Sequence, residues 1–567
     1  MGFVFASIPV SATGTAVTTI VWLLVAVSLV AALTHFVRVP YTIALVVAGL
    51  ALGVIGGPFT VPLTEDLILD VFIPALLFEA AYNLSWPRLR AEIRPITALA
   101  IPGVIAGTFI VGAIVHLAGL RWPVALLFGA LIAATDPVSV LATFRRIGAN
   151  RRLAIIVEGE SLFNDGTALV VFKLVLAVVI AGGVTASTTI LAFIASIAGG
   201  VAVGLIVGYL GALVLRQIDD YLVEITITLL MAYGTFIACE QLSLTVGGSA
   251  IGASPVIAVV VLGLITGNYA SRSSMSARTR LSMYDTWELI SYFANSLIFI
   301  LIGLQVHTAS LTRADIPLML AAVVGILVSR AIVVYGVGLY TNWRNAPADR
   351  LPLRFQHVIL WGGLRGAIAL AAALSIPGDA VPERPTIILL TFGIVVFTLL
   401  AQGLTIRPLV ARLGLSGTDN SAPLLAFERL QGQLVATQAA RRALNNLSEA
   451  GEIAPDVYAQ LSRSYEERGD RLRDELAGLN VSAEAIRAEQ VIVARRKALQ
   501  AEKDALLTLR NRGTITNSIY RALNADINQR LLHLEEAPDA AMEDGLALSA
   551  EDEQIEGMTD AHADRTP

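Results

Sequence analysis

Stretches of about 20 apolar residues with hardly any charge recur along the sequence, and they limit the possible folds more than any other feature. A helix needs about 20 such residues to cross the hydrocarbon core of a bilayer, and lipid tolerates only helices or closed barrels as spanning structures. The runs predict an all-α polytopic membrane protein with thirteen spans, near residues 19–37, 41–57, 67–83, 95–119, 122–144, 153–181, 187–215, 221–243, 253–270, 285–306, 314–340, 355–376 and 385–411.

Charged residues make up 15% of the chain, against about 25% in an ordinary soluble domain. They are sparse in the apolar part, and the rest of the chain is rich in acidic residues. We therefore divide the chain into a transmembrane domain at 1–415, a helical cytoplasmic tail at 416–536 and an acidic, disordered C-terminus at 537–567. The net charge of −5 gives no basic excess, so nucleic acid is not an expected partner.

Basic residues in the short loops predict the orientation of the chain, because Lys and Arg gather on the cytoplasmic side. With the N-terminus outside, the outer connections carry only Arg121, Arg313 and Arg384. The tail is then cytoplasmic, and we expect a multi-pass protein of the plasma (inner) membrane. The inner connections carry a larger basic set: Arg38, Arg88, Arg90, Arg94, Arg145, Arg146, Arg151, Arg152, Arg216, Arg272, Arg278, Arg280, Arg344, Arg350 and Arg354.

Two spans contain residues that interrupt a helix. Span 5 contains Pro137, which removes a backbone hydrogen bond in mid-helix, and span 12 contains Gly362, Gly363 and Gly366. Thirteen spans suit two inverted six-helix repeats joined by span 7, and spans 5 and 12 then occupy corresponding positions. Paired interrupted helices of this kind indicate a transport site, because the freed backbone groups are tolerated only beside a cavity or packed protein.

Two carboxylates lie deep inside predicted spans, where an ionisable side chain is unfavourable and needs an explanation. Asp136 lies in span 5 and Asp165 in span 6, one helical turn after Ser161. With Thr135, these side chains predict an all-oxygen cage for a small hard cation such as sodium, lithium or potassium. A proton and the cation then compete for Asp165. A structural role for both carboxylates, in capping the broken helix or pairing with an arginine, is the alternative.

Three further polar residues are expected to support this site. Arg365 lies in the glycine-rich part of span 12, where an unpaired guanidinium is prohibitive, and Glu160 is its expected partner. Asn164 shares a helix face with Glu160. Asn164 could equally make packing hydrogen bonds or line the site. Pairing, dimer or cavity roles are expected for the other intramembrane charges Glu79, Glu240 and Arg330.

Three segments closely resemble the bacterial and archaeal sodium/proton antiporters of the monovalent cation:proton antiporter-1 family. They are Ala134–Val138 (ATDPV), residues 158–168 (EGESLFNDGTA) and residues 361–370 (WGGLRGAIAL), and Leu76–Ala80 (LLFEA) is also similar. The resemblance covers about residues 15–415. It implies a thirteen-span inverted-repeat fold, a homodimer, and alternating access by an elevator-like movement of a core domain.

The resemblance also implies residue roles. Asp165 matches the carrier of cation and proton, and the pair Asn164-Asp165 is associated with electroneutral one-for-one exchange. The other cation ligands match Thr135, Asp136 and Ser161, and the structural pair matches Glu160 and Arg365. The motifs do not fix the preferred ion.

Three other classes of protein remain open on the residues alone. A channel also needs broken helices and buried oxygen ligands, but not a titrating carboxylate. A proton-coupled carrier of organic solutes would expose aromatic side chains beside Asp165, and an intramembrane hydrolase would use Asp136 and Asp165 as an acid/base pair. We expect a transporter rather than an enzyme, with no cofactor. Monovalent cations, protons, the lipid bilayer and a second copy of the chain are its expected partners.

Overall fold

The computed structural model describes most of the chain up to Ala477. The described residues are 12–34, 40–55, 64–181, 186–218, 220–241, 243–246, 249–271, 275, 277–306, 313, 315–344, 350–415, 421–450 and 453–477, with scattered residues between 494 and 530. Contacts divide the chain into two units, Met1–Gly417 and Thr418–Pro567. Each unit is considered by itself.

The first unit is a helical membrane domain, as the apolar runs predict. Among the described residues, seven helices are long and apolar enough to cross a membrane, and four shorter apolar helices accompany them. One of the shorter helices, Trp122–Leu131, is the first part of a predicted span that is divided in the structure. The all-helical polytopic class is confirmed, whereas thirteen spans and two inverted repeats stay predictions.

Most helices of this unit lie close to the apolar runs. The α-helices are α1 (Ala12–Thr34), α2 (Tyr41–Ile55), α3 (Ile73–Asn83), α4 (Trp86–Ala91), α5 (Ile93–Ala100), α6 (Pro102–Leu117), α7 (Trp122–Leu131), α8 (Val138–Ile147), α9 (Arg151–Ala181), α10 (Ala186–Leu215), α11 (Tyr221–Gln241), α12 (Pro255–Ile265), α13 (Ala277–Val306), α14 (Ile316–Arg344), α15 (Leu353–Trp361), α16 (Ala367–Leu374), α17 (Arg384–Phe397) and α18 (Gly403–Arg412). Among the described residues, π-helical turns lie at Leu67–Phe72, Thr266–Ala270 and Thr398–Gln402.

A short antiparallel hairpin lies between α11 and α12. Its strands are β1 (Ser243–Val246) and β2 (Ser249–Gly252), with Leu244 opposite Ile251. The hairpin falls at the junction of two predicted spans, where the residues are mostly apolar or small and give no separate strand signal.

The helices form two groups. In the first, α2 packs along α13, and α12 packs against α3, α10 and α11. The backbones of α2 and α13 approach so closely at Gly49 and Gly303 that a Cβ at either position would collide with the backbone of the other helix. In the second group, α6 packs against α7 and α14, and α9 packs against α5 and α7. The interrupted helices α7–α8 and α15–α16 belong to this second group.

The second unit begins with a helical hairpin of α19 (Ser421–Glu449) and α20 (Pro455–Ala477). The hydroxyl of Tyr458 donates a hydrogen bond of 2.8 Å to Asn445 Oδ1, and Arg441 pairs with Glu466 at 3.3 Å. Further helical pieces are predicted at 482–511 and 515–535, where only scattered residues are described. The acidic segment 537–567 lies outside the described residues.

Candidate cation and proton site

The first interruption separates α7 from α8. Helix α7 ends at Leu131, and α8 begins only at Val138, directly after Pro137. Pro137 has no backbone N–H to continue a helix, so the intervening backbone needs other partners. The Asp136 carboxylate accepts a hydrogen bond of 2.9 Å from the Val138 N–H, the first N–H of α8, in an Asx turn.

The second interruption separates α15 from α16 and lies against the first. Helix α15 ends at Trp361, and α16 begins at Ala367. The Asp136 N–H donates a hydrogen bond of 2.8 Å to the Leu364 carbonyl, which joins the two breaks directly. Gly366 lies so close to Asp136 that a Cβ there would collide with the carboxylate. A glycine is therefore required at the crossing.

Helix α9 brings the remaining site residues to the crossing. The Ser161 hydroxyl donates a hydrogen bond of 2.5 Å to the Thr135 carbonyl, and Asn164 Nδ2 donates one of 3.2 Å to Thr135 Oγ1. Ser161, Asn164 and Thr135 are all at most 5% exposed. Asp165, one turn beyond Ser161, receives a hydrogen bond from the Thr135 backbone N–H. The break in α7–α8 is thus tied to α9 at several points.

One cavity connects these side chains. It has a volume of about 290 Å³, and Thr135, Asp136, Ser161 and Asp165 all line it. Asp136 and Asp165 are both partly exposed, whereas Thr135 and Ser161 are buried. The predicted cage residues therefore share one cavity with two carboxylates facing it. Oxygen atoms predominate among the polar groups of these four residues, as a hard cation requires.

The same cavity continues to further charged residues that were not among the predicted cation ligands. Glu79, Arg145, Glu158 and Glu288 also line it. Asn83 Nδ2 donates a hydrogen bond of 2.6 Å to Glu79 Oε1. The position of Glu79 inside an apolar run marked it as an intramembrane charge. The run alone could not show that Glu79 lies beside α9.

Glu160 pairs with Arg330, and the predicted Glu160–Arg365 pair is wrong. Two hydrogen bonds join the guanidinium of Arg330 to both carboxylate oxygens of Glu160, at 2.5 and 2.8 Å. Arg330 also donates a hydrogen bond of 3.0 Å to the Ile359 carbonyl in α15. Both charged side chains are buried, at 2% and 8% exposure. The pair joins α9, α14 and α15 because α14 packs into the group that contains both interruptions.

Arg365 instead satisfies backbone carbonyls of the first interruption. Its Nη1 donates hydrogen bonds of 2.7 and 2.9 Å to the carbonyls of Ala133 and Ala134. These carbonyls follow the C-terminus of α7, where a helix leaves unpaired acceptors and partial negative charge. The Arg365 backbone N–H donates in turn to Thr398 Oγ1 at 3.1 Å. A guanidinium is tolerated here because it replaces the hydrogen bonds that the interruption removed.

Glu240, the third intramembrane charge of open role, lies away from this site. Its carboxylate approaches the ammonium group of Lys173 to 3.9 Å. Both side chains are about one third to one half exposed, so this is a weak pair at the far end of α9.

A polytopic helical protein with two crossed interruptions and paired carboxylates in a cavity is a membrane transporter. Residues 23–412 match the transmembrane sodium/hydrogen exchanger family. The chain is 36% identical over 494 residues to the Na⁺/H⁺ antiporter ApNhaP of Aphanothece halophytica, which covers 86% of this chain and 91% of that protein. It is 39% identical over 438 residues to the low-affinity Na⁺/H⁺ antiporter NhaS1 of Synechocystis, which covers 76% of this chain and 79% of that protein.

The fold is also that of a solved structure. The sodium proton antiporter MjNhaP1 of Methanocaldococcus jannaschii superposes with a TM-score of 0.57 at 21% identity, over 70% of this chain and 99% of that one. The chain belongs to the sodium/hydrogen exchanger family, so the family resemblance of its motifs is confirmed. It is a multi-pass membrane protein of a transporter family rather than an enzyme.

Proposed function

We propose that this protein is a secondary active antiporter that exchanges a monovalent cation, sodium in the first place, for protons. One observation carries the proposal. Asp136 and Asp165 face one cavity at the crossing of two helix interruptions, with the oxygens of Thr135 and Ser161 beside them. The relatives named as Na⁺/H⁺ antiporters support sodium as the cation.

Asp165 is the carrier in this mechanism. Asp136 is fixed by two hydrogen bonds, because its carboxylate accepts from the Val138 N–H and its own N–H donates to the Leu364 carbonyl. Asp165 lies on the uninterrupted helix α9 and projects into the cavity. A proton or a cation neutralises its carboxylate, and each excludes the other, so release of one follows binding of the other. Thr135, Asp136 and Ser161 supply the other cation ligands.

The buried charges support electroneutral exchange. Glu160 is already neutralised by Arg330, and Arg365 is engaged with the backbone carbonyls of the first interruption. Asn164, beside Asp165, is an amide rather than a second carboxylate. Asp136 stays a fixed ligand in this mechanism, so Asp165 exchanges one proton for one cation, and the charge carried in the two directions is equal.

The two helix groups suit an elevator-like alternating access. The group containing α7–α9 and α14–α16 carries every proposed ligand, and α3 and α13 of the other group line the opposite side of the cavity. Movement of the group that contains α7–α9 against the group built on α2, α12 and α13 would expose Asp165 to either side in turn. We propose that two copies associate through the group built on α2, α12 and α13, with the N-terminus outside and the tail in the cytoplasm of the plasma membrane. No cofactor is required.

The test is transport by purified protein in vesicles. Lumenal pH is followed with a fluorescent dye while sodium, lithium or potassium is added outside, with and without valinomycin and potassium to clamp the membrane potential. Cation-driven proton movement that is lost in Asp165→Asn and is insensitive to the clamp is the expected result. Asp285→Asn is the matched control, because Asp285 is exposed on α13 and does not line the cavity.

Two outcomes would contradict the proposal in different ways. Proton movement that survives in Asp165→Asn would remove Asp165 from the carrier role and point to Asp136. Cation movement without linked proton movement would indicate a channel, and no response to any of the three cations would exclude monovalent cation antiport.

A further inference from the structure

A second, much smaller cavity lies behind the transport site. Its volume is about 20 Å³, and its wall includes Asn164, Arg330 and Arg365. Helix α6 contributes Gly103 and Gly107, whose lack of side chains leaves the space open. Neither Asp136 nor Asp165 lines it, so it is distinct from the cavity of about 290 Å³ that holds the carboxylates.

Three buried polar atoms of its wall have no hydrogen-bond partner among the described residues. They are Asn164 Oδ1, Arg330 Nε and Arg365 Nε. Their side chains are 2%, 8% and 5% exposed, so bulk water does not reach them. Each unpartnered buried group costs about 1–3 kcal/mol, and more when it is charged. Three such atoms around one cavity indicate a shared ligand.

The three atoms have complementary roles. The two Nε–H groups can only donate a hydrogen bond, and the amide oxygen can only accept one. The orientation of the Asn164 amide follows from its other contact, because Nδ2 donates to Thr135 Oγ1. A ligand between them must therefore accept two hydrogen bonds and donate at least one.

We propose that this cavity binds one ordered water molecule. Its oxygen accepts hydrogen bonds from Arg330 Nε and Arg365 Nε, and one of its hydrogens is donated to Asn164 Oδ1. A buried water needs about 10–15 Å³ of accessible volume and 2–4 polar partners, and the cavity offers both. Ser329, which also lines the cavity, offers a hydroxyl as a fourth partner.

Size and charge distinguish water from an ion. A cation is excluded by two guanidinium groups. An anion is disfavoured because Glu160 already neutralises Arg330 and because the space holds only about one water-sized sphere. Neither exclusion depends on which ion the protein transports.

The water would join three parts of the proposed transport machinery. It connects the Glu160–Arg330 pair, the Arg365 side chain that donates to the carbonyls of the first interruption, and Asn164. By fixing the Asn164 oxygen, it directs Nδ2 towards Thr135, which is a proposed cation ligand. The geometry of that ligand then depends on the water.

The direct test is a density map of the full-length protein in a lipid nanodisc, at a resolution that resolves ordered waters. We expect a single peak within hydrogen-bond distance of Arg330 Nε, Arg365 Nε and Asn164 Oδ1. An empty cavity in such a map would overturn the proposal. An anomalous peak in this cavity, in crystals grown with bromide in place of chloride, would also overturn it, in favour of an anion.

A cavity-filling variant provides a second measurement. In Gly107→Ala the new methyl group would lie 3.1 Å from Ser329 Oγ, inside the space available to the water. We expect the peak to disappear and the melting temperature in detergent to fall by several degrees. Gly336→Ala on α14 is the matched control, because nothing lies within 4 Å of a Cβ there. Retention of the melting temperature in Gly107→Ala, together with loss of the peak, would show that the water does not stabilise the protein and would contradict the linking role.

Discussion

Glu160 and Arg330 form a bidentate ion pair across 170 residues of sequence, with both side chains buried beside the candidate cation site. Bidentate pairing satisfies both carboxylate oxygens and leaves no free charge on Glu160. The pair holds the middle of α9 to α14, and through the Ile359 carbonyl it also reaches α15. Because of this position, the pair stabilises the helices around the site and is not expected to bind the cation.

Removal of one member of this pair should destabilise the protein strongly, by about 3–5 kcal/mol, because the other charge is left buried without a partner. We expect Glu160→Gln and Arg330→Gln each to lower the melting temperature in detergent, and the double variant to be less unstable than the sum of the two. The double variant of Glu160→Gln with Arg365→Gln serves as the comparison. If its loss of stability departs further from the sum of the single losses than that of the Glu160/Arg330 double variant, the pairing of Glu160 with Arg330 is contradicted.

A methyl group at Gly366 should abolish transport. Gly366 has extended backbone angles, φ −141° and ψ −152°, that any residue adopts, so the effect of Gly366→Ala would be steric alone. Its Cβ would meet the Asp136 carboxylate and push apart the two interruptions. We expect a loss of cation-driven proton movement in vesicles by a factor of about ten or more, which corresponds to a barrier raised by about 1.4 kcal/mol or more. The control is Gly336→Ala, which should transport normally because a Cβ there has open space around it. Normal transport by Gly366→Ala would instead show that the two interruptions do not pack tightly at Gly366.

Sequence patterns predicted four residues that share one cavity in the structure, but not every partner of the charged residues around it. Pro137 and the glycines of span 12 marked the two interruptions, and apolar runs revealed Asp136, Asp165 and Glu160 as charges that need partners. The partner of Glu160 depends on how α14 packs against α9, which no local pattern encodes. The partners of Arg365 are equally hidden, because the carbonyls freed at Ala133 and Ala134 have no sequence signature beyond the nearby proline.

Ser161 should determine cation affinity more than turnover. Its hydroxyl lies in the cavity wall and donates to the Thr135 carbonyl, so Ser161→Ala removes one oxygen ligand and one tie to the interruption. A hydrogen bond or ligand contact to a charged group contributes about 1.5–3 kcal/mol, which corresponds to a rise of roughly 10- to 100-fold in the apparent KM for sodium. The measurement is initial proton movement against sodium concentration at one pH.

The control for this substitution is Ser375→Ala. Ser375 directly follows α16 and donates its hydroxyl to the Ala372 carbonyl, and it does not line the cavity. Its KM for sodium should stay unchanged. An unchanged KM in Ser161→Ala, with a fall in maximal rate alone, would mean that Ser161 has a structural role and is not a ligand.

The ion pair of Arg121 and Glu383, outside the spans, should contribute a small pH-dependent stability. Two hydrogen bonds of 2.5 and 3.0 Å join the side chains, and the guanidinium of Arg121 lowers the pKa of the Glu383 carboxyl. A carboxyl whose folded pKa lies below its unfolded value of about 4.3 stabilises the protein above that pH, and the contribution is lost as pH falls through the folded pKa. The effect should be small because the Arg121 side chain is 64% exposed.

Melting temperatures of the unmodified protein and Glu383→Gln would measure this contribution. We expect a small, constant difference from neutral pH down to about pH 5, and a difference that shrinks towards zero below about pH 4. High salt should reduce it, since the pair is exposed to solvent. A difference that grows as the pH falls would mean that Glu383 is stabilised in its protonated form, which the hydrogen bonds from Arg121 oppose.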